Sequence, residues 1–437
     1  MEVNGSFKSD TISRHSAMTR CLGVAVAAVG RCVGTEKQGA LGIVGYSAAI
    51  GPATLIIFCL LNIANWSDAS AIQIEPISGN TLENPGFFQK FQSVIEDYAH
   101  EIKTDIALDD IGGMAVGIVV QDELIWSAGF GFADRESQTP VSPEHIFRVG
   151  SITKSFTAVL MMNLCEKGIV ELDDQVSMYI PEIKELKNWS HDAGQITLRQ
   201  LASHSAGLAK EPALSNAASG PVENWAEKTV ECIKSTSCIS LPGKEFHYSN
   251  FGYAILGLAL SRAAEKSYCE LVNERILKPL GMSDSFLVLS PEYFSRVASG
   301  YKIKEDGSID AKQPFIEHSG RGYKMPNGAM YSTVKDLAAY ISFISGARLN
   351  QLLSDNSLHA LVNPQSPDGQ YGFGFRISDD EDGFNTIWHG GSVAGYNAII
   401  IYEPKTKVGI IMLRNYKGGK IDLEVRGREI LRKLLKE

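Results

Sequence analysis

One helix constrains this chain more than any other stretch. Phe147-Arg148-Val149-Gly150-Ser151-Ile152-Thr153-Lys154 leads into an apolar run of Phe156, Val159, Leu160, Met161 and Leu164. That spacing predicts a buried helix with Ser151 in its first turn. Lys154 stands three residues on, so it shares a face with Ser151 one turn away. A serine hydroxyl is a weak nucleophile until a neighbour takes its proton, and a desolvated, neutral lysine amine can do so. The free N–H groups of a helix start also favour negative charge developing there. By itself S-x-x-K is a short pattern, and most copies of it are ordinary capping serines.

The segments around that helix predict the fold. Phe87 to Glu101 places Phe88, Phe91, Val94, Ile95 and Tyr98 on one face of an amphipathic helix. Met114–Val120 and Leu124–Ala133 read as a strand hairpin turning at Gln121-Asp122-Glu123. Helical patterns then dominate, from Phe251 to about Ala264, from Cys269 to Leu280, and from Val334 to about Ile344 with Thr333 as N-cap. Strands return at Tyr371–Ile377, Thr386–His389, Ala398–Tyr402 and Val408–Leu413, and an amphipathic helix over Ile421–Leu435 closes the chain. The expected class is α/β of the α+β type. A mixed, antiparallel sheet is built from both chain ends and flanked by helices, with a mostly helical region inserted over roughly 175–350. Residues 72–437 then form one composite domain.

Residues 1–71 differ from the rest. From Gly39 to Ala64 there is no charge, and Leu55–Leu61 is densely apolar. Two readings stay open: an export signal cut near Ala69 and Ala71, or an uncleaved membrane anchor with its basic end inside. Both put the domain outside the cytoplasm, in the periplasm or cell envelope, secreted or membrane-associated. Charge excludes one partner class. With 41 Lys and Arg against 50 Asp and Glu, the net charge of −9 and the lack of a basic stripe argue against nucleic acid. Seven cysteines do not make a disulfide scaffold. Cys232 and Cys238 flank a short loop and would either close a small ring or remain two thiols. None of the nine histidines pairs at metal-binding spacing, and no cofactor or metal is expected. The acidic turn Asp379–Gly383 lacks the spacing of a calcium loop.

Two further patterns carry chemistry. Tyr248 and Asn250 stand two apart before the Phe251 helix, a phenol that can relay protons and an amide that can hold a carbonyl. His389-Gly390-Gly391-Ser392 follows a strand, and its glycines would let a substrate backbone approach the strand edge. Taken singly, each pattern is commoner as plain structure. Together, in this order, the chain resembles the serine β-lactamase and penicillin-binding-protein superfamily, and most closely its class-C-like branch of D-peptidases, carboxypeptidases and esterases. That family's signatures are S-x-x-K, Y-x-N and a Lys/His-initiated triplet ending in glycine. Longer phrases match too, among them Leu201–Leu208, Pro242-Gly243-Lys244 and Ser332–Leu337, and the resemblance covers about residues 85 to 435.

The resemblance implies a serine hydrolase working on an amide or ester through an acyl-enzyme, with a small molecule or peptide as substrate. Ser151 would be acylated, Lys154 would take its proton and Tyr248 would relay protons. Asn250, His389, Gly390, Gly391 and Ser392 would bind substrate, with the N–H groups of Ser151 and Ser392 as the oxyanion hole. Arg148 and His204 are expected to be structural, through an ion pair and a loop hydrogen bond. One position departs from the β-lactamases proper, which carry lysine where this chain has His389. Histidine is mostly neutral near pH 7, which disfavours strong penicillin turnover. The absence of a G-x-S-x-G elbow disfavours another serine hydrolase type. The rival from a different class is a membrane-anchored binding or scaffold member that acylates slowly or not at all.

Overall fold

The near-continuous apolar run Met114–Val120 can be satisfied only if both faces of its strand are covered. The structure, a computed structural model, describes residues 85–189, 194–348, 352–379 and 383–437. Residues 1–71, read above as a signal or anchor, lie outside the described residues, as do 380–382 of the acidic turn. In chain order the strands are β1 (Gly113–Val120), β2 (Glu123–Asp134), β3 (Thr139–Pro140), β4 (Phe147–Arg148), β5 (Tyr301–Ile303) and β6 (Ile309–Asp310). They continue with β7 (Tyr331–Ser332), β8 (Arg376–Asp379), β9 (Asn385–Val393), β10 (Tyr396–Glu403), β11 (Val408–Arg414) and β12 (Tyr416–Lys417). Five helices matter below: α1 (Pro85–Asp109), α2 (Thr153–Glu166), α3 (Asn250–Ala263), α4 (Val334–Ile344) and α5 (Leu423–Lys436).

The main sheet has seven strands in the order β3-β2-β1-β11-β10-β9-β8, all neighbours antiparallel. The chain ends meet at β1 and β11, where Val116 faces Met412 and Ile118 faces Ile410. β1 divides its side chains between two cores. Met114, Val116, Ile118 and Val120 pack with Ile95, Tyr98 and Ile102 of α1 and Ile430, Leu431 and Leu434 of α5. Ala115 and Val119 join the larger core, with Phe156 and Leu160 of α2 and Leu337 and Ile341 of α4. Every residue from Thr153 to Leu164 is buried, so α2 is a central helix with no solvent face.

Three local expectations change. The alternation at Tyr371–Ile377 reports burial, not a seven-residue strand, because β8 starts only at Arg376. Gly374 breaks the pattern with φ of +77°, and a Cβ there would lie 2.8 Å from Ser155 Cα, so the turn seats directly on α2. The helix expected over Cys269–Leu280 is interrupted. It starts at Tyr268 behind a Ser267–Glu270 capping box, widens to a π turn over Asn273–Leu277, and ends at Gly281. Pro279 donates no N–H, which accounts for the loosened ladder before it. Finally, Cys232 and Cys238 are free thiols, the first buried and the second half-buried.

Asn415 fastens the junction of the two chain ends. Its side chain accepts from Gly113 N at 2.6 Å and donates to the carbonyls of Phe132, Ala133 and Ser299 at 3.0, 3.1 and 2.9 Å. All of this is buried beside β1 and β2. Asn415→Ala would strand these groups without water. Urea unfolding should show a loss of about 3 kcal/mol, the upper range for orphaned buried polar groups.

Candidate active site

A sharp turn followed by a long buried helix fixes the serine. Ser151 lies in a 3-10 turn, Gly150–Ile152, that runs into α2, one turn ahead of the regular helix expected from the sequence. Gly150 has φ of +53°, a conformation glycine adopts without strain. Thr153 locks the turn by donating from Oγ1 to Gly150 O at 2.6 Å and accepting from Met330 N at 3.1 Å.

Strand β9 presses edge-on against that turn. A Cβ built on Gly391 would fall 1.8 Å from Val149 O and 3.2 Å from Ser151 N. One on Gly150 would fall 2.8 Å from Ser392 N. No side chain fits at 391, and the absence of side chains at 150 and 391 lets the Ser151 turn and the Ser392 segment of β9 pack backbone against backbone.

Lys154 is fully buried and makes three contacts. Its Nζ lies 3.0 Å from Ser151 Oγ, and it donates to Asn250 Oδ1 at 2.8 Å and to the Asn327 carbonyl at 3.1 Å. Among the described residues no carboxylate is paired with it. Burial first, then the charges of Lys324, Arg321 and Lys210, hold its ammonium well below the usual range, against a smaller opposite pull from Glu211. A neutral amine has two N–H donors and one lone pair. In that form the oxygens of Asn250 and Asn327 would use both donors, and the lone pair would be free for the serine hydroxyl.

Tyr248 closes the other side. Its ring lies 4.9 Å from Lys154 Nζ, and its hydroxyl is hydrogen-bonded to Ser151. Burial pushes the phenol up to about 12, opposed by the Ser151 hydrogen bond and the Arg376 charge. His204, in a left-handed conformation with φ of +57°, clamps the backbone on both sides of Tyr248. Its carbonyl accepts from His247 N at 2.8 Å and its Nδ1 accepts from Ser249 N at 3.0 Å. Arg148 pairs with Glu317 at 3.3 Å. Ser249, not Asn250, caps α3, accepting from Gly252 N at 2.9 Å. Asn250 is thereby left to face the cleft, where its Nδ2 donates to Glu211 at 2.6 Å.

Ser151, Tyr248, Asn250, Gly390, Gly391 and Ser392 line one cleft of about 850 Å³. His389 does not line it. The ring is buried behind the strand, with Nε2 3.1 Å from the Tyr371 hydroxyl and Nδ1 2.7 Å from Gly390 O. Burial and the neighbouring Lys154 and Arg376 push its pKa down to about 3, so the imidazole is neutral. Sequence reasoning missed three participants. The Asn327 carbonyl is a backbone atom, with no letter of its own. Glu211 and Lys324, paired at 3.3 Å, follow no recognisable spacing. Among the described residues no cluster of side chains could hold a metal ion.

Residues 100–434 match the family model described as Beta-lactamase. The chain belongs to the β-lactamase family. A "Beta-lactamase-like protein 2" of Dictyostelium discoideum is 30% identical over 349 residues, covering 77% of this chain; the chain spans only 61% of that relative's own length. The octameric penicillin-binding protein homologue of Pyrococcus abyssi superposes with a TM-score of 0.67 at 26% identity, over 78% of each chain. The D-amino acid amidase of Ochrobactrum anthropi, with a TM-score of 0.66, 21% identity and coverage of 79% of this chain and 99% of its own, shares the fold. The α/β architecture with its antiparallel sheet is that of the β-lactamase and transpeptidase proteins, a family of serine hydrolases.

The buried amine has a thermodynamic signature. The Lys154 pKa is lower in the folded chain than in the unfolded one, so the unfolded state binds the extra proton. Stability at this site therefore rises with pH towards about 10.4, the unfolded lysine value. Lys154→Met should raise the melting temperature at pH 6–7, and the gap to wild type should close as pH approaches 10. A gap independent of pH would mean that the amine is charged when folded.

Proposed function

We propose that this protein hydrolyses an ester or amide through an acyl-enzyme on Ser151. The observation that carries the reading is the Lys154 amine, buried, with no carboxylate paired to it among the described residues, its Nζ 3.0 Å from Ser151 Oγ and hydrogen-bonded to the oxygens of Asn250 and Asn327. As Ser151 Oγ attacks a carbonyl carbon, its proton passes to Lys154 Nζ. The carbonyl oxygen becomes an oxyanion between the N–H groups of Ser151 and Ser392, where one lost donor typically costs on the order of 3 kcal/mol. The ammonium now formed in a dry site is short-lived. Its proton goes by way of Tyr248, which touches both Ser151 and Lys154, to the leaving oxygen or nitrogen. Water then attacks the acyl carbon, giving its proton back through the same phenol and amine, and Ser151 leaves with a proton restored.

Substrate choice follows from what lines the cleft. Asn250 offers its second amide hydrogen to a substrate carbonyl, and the open edge at Gly390 and Gly391 accepts an extended backbone. The triplet contributes no cation, because His389 is neutral and turned away. This favours an ester, or a peptide held otherwise than by its carboxylate, over a penicillin. Export or anchoring by residues 1–71 belongs to the same proposal and rests on the uncharged run Gly39–Ala64. Among the described residues no helix is long and apolar enough to cross a membrane.

Turnover of p-nitrophenyl acetate by wild type and Ser151→Ala tests the reading. The variant should lose at least a thousandfold, and mass spectrometry after a fluorophosphonate should find the adduct on Ser151 alone. Equal rates in the two proteins would favour the non-catalytic scaffold instead. Gly391→Ala, which drives β9 off the Val149 carbonyl, should cut kcat by a hundredfold or more, in line with loss of an oxyanion donor.

A further inference from the structure

His389 leaves the Tyr248 end of the cleft without the fixed cation that a lysine at that position would supply. The neighbouring strand places one there. Arg376 opens β8 and stands in register with Trp388, the residue before His389. Its Cζ lies 5.7 Å from the centre of the Tyr248 ring and 5.4 Å from that of Trp388. It is half-buried, and no carboxylate lies within ion-pair distance of it among the described residues. A guanidinium stays charged at any working pH and stacks well on aromatic faces. This one has two aromatic faces and no counter-ion at contact distance.

We infer that Arg376 is a positioning residue that holds the Tyr248 ring in place and sets a fixed positive charge beside the coupled Lys154–Tyr248 proton relay. The inference rests on the hydrolase reading above. Its charge also reaches His389 and His204, in each case disfavouring a second cation. The other groups facing Tyr248 cannot take this part. Lys154 is itself the base of the relay, and the His204 and His389 rings, at 4.3 and 6.4 Å, are buried and held neutral. Tyr253 and Tyr371 are phenols held un-ionised by burial. Glu211 acts in the opposite sense. Facing Arg376 itself are the two aromatic rings, Arg428, whose guanidinium lies 5.1 Å from the centre of the same Trp388 ring, and Glu424, whose carboxyl burial raises against the pull of Arg428 and Arg376. The proton relay is thereby biased by a side chain that exchanges no proton.

The test is the pH profile of p-nitrophenyl acetate hydrolysis. In Arg376→Gln the pH at which kcat rises should move up by about one unit, with a tenfold lower kcat at pH 7 and KM within twofold, as one unit corresponds to a factor of ten. Arg376→Lys should keep the wild-type midpoint, because charge is retained. Arg376→Gln combined with His389→Lys should bring the midpoint back down, because the cation returns from the next strand. A midpoint unmoved in Arg376→Gln, or moved equally in Arg376→Lys, overturns the inference while leaving the hydrolase reading intact. Residual activity in Ser151→Ala equal to wild type would overturn the hydrolase reading itself, so the two failures are distinguishable. Should Arg376→Gln melt below assay temperature, the Lys variant and the double variant still decide between charge and shape.

Discussion

A lysine amine buried in the first turn of α2, with no carboxylate paired to it among the described residues, is the interaction on which the rest of the site depends. Burial alone makes the ammonium costly. Nearby cations on the cleft wall make it costlier, and the oxygens of Asn250 and Asn327 saturate the neutral form's two donors. Each contact comes from a different part of the chain, one from the start of α3 and one from the segment before β7. The amine therefore faces Ser151 only in the complete fold. These contacts decide where one proton resides.

The second constraint is steric. The turn at Ser151 and the edge of β9 approach more closely than any side chain permits, and Gly150 and Gly391 make that approach feasible. β9 is held in turn by β10, and β10 by β11, which pairs with β1. The sheet made from both chain ends thus acts as a ruler. It sets the height of Ser392 N above the serine, and Asn415 fixes the point where the two ends join. Stability at that distant junction and geometry at the cleft belong to one continuous hydrogen-bonded ladder.

Much of this was legible from residue order. The S-x-x-K spacing places Lys154 Nζ 3.0 Å from Ser151 Oγ because three residues make nearly one turn. Thr333 caps α4, accepting from Asp336 N, as its place before an apolar run implies. The hairpin of β1 and β2 follows from apolar runs around a polar turn. Other features leave no local trace. The Tyr371–Ile377 alternation is as strong as that of a strand, yet Gly374 folds it onto α2, a tertiary contact that no periodicity reports. The Asn327 carbonyl is invisible because every residue has one. The histidine at 389 is plain in the sequence but its direction is not, since a strand residue next to glycine can face either side. Arg376 carries no motif; only strand pairing brings it to Tyr248.

The position of charge around the cleft is set outside the triplet. The β-lactamases proper carry a lysine where this chain has His389. Here the neutral imidazole is spent on a bond to Tyr371, behind the strand, and holds that edge in place. The fixed charge at the phenol comes instead from β8, stacked on rings and outside the cleft lining. Among the charges that line the cleft, Lys210, Glu211, Arg321 and Lys324 are the ones that act on the Lys154 amine. The binding wall is therefore not separate from the proton chemistry. Exchanging that wall would retune the base as well as the recognition.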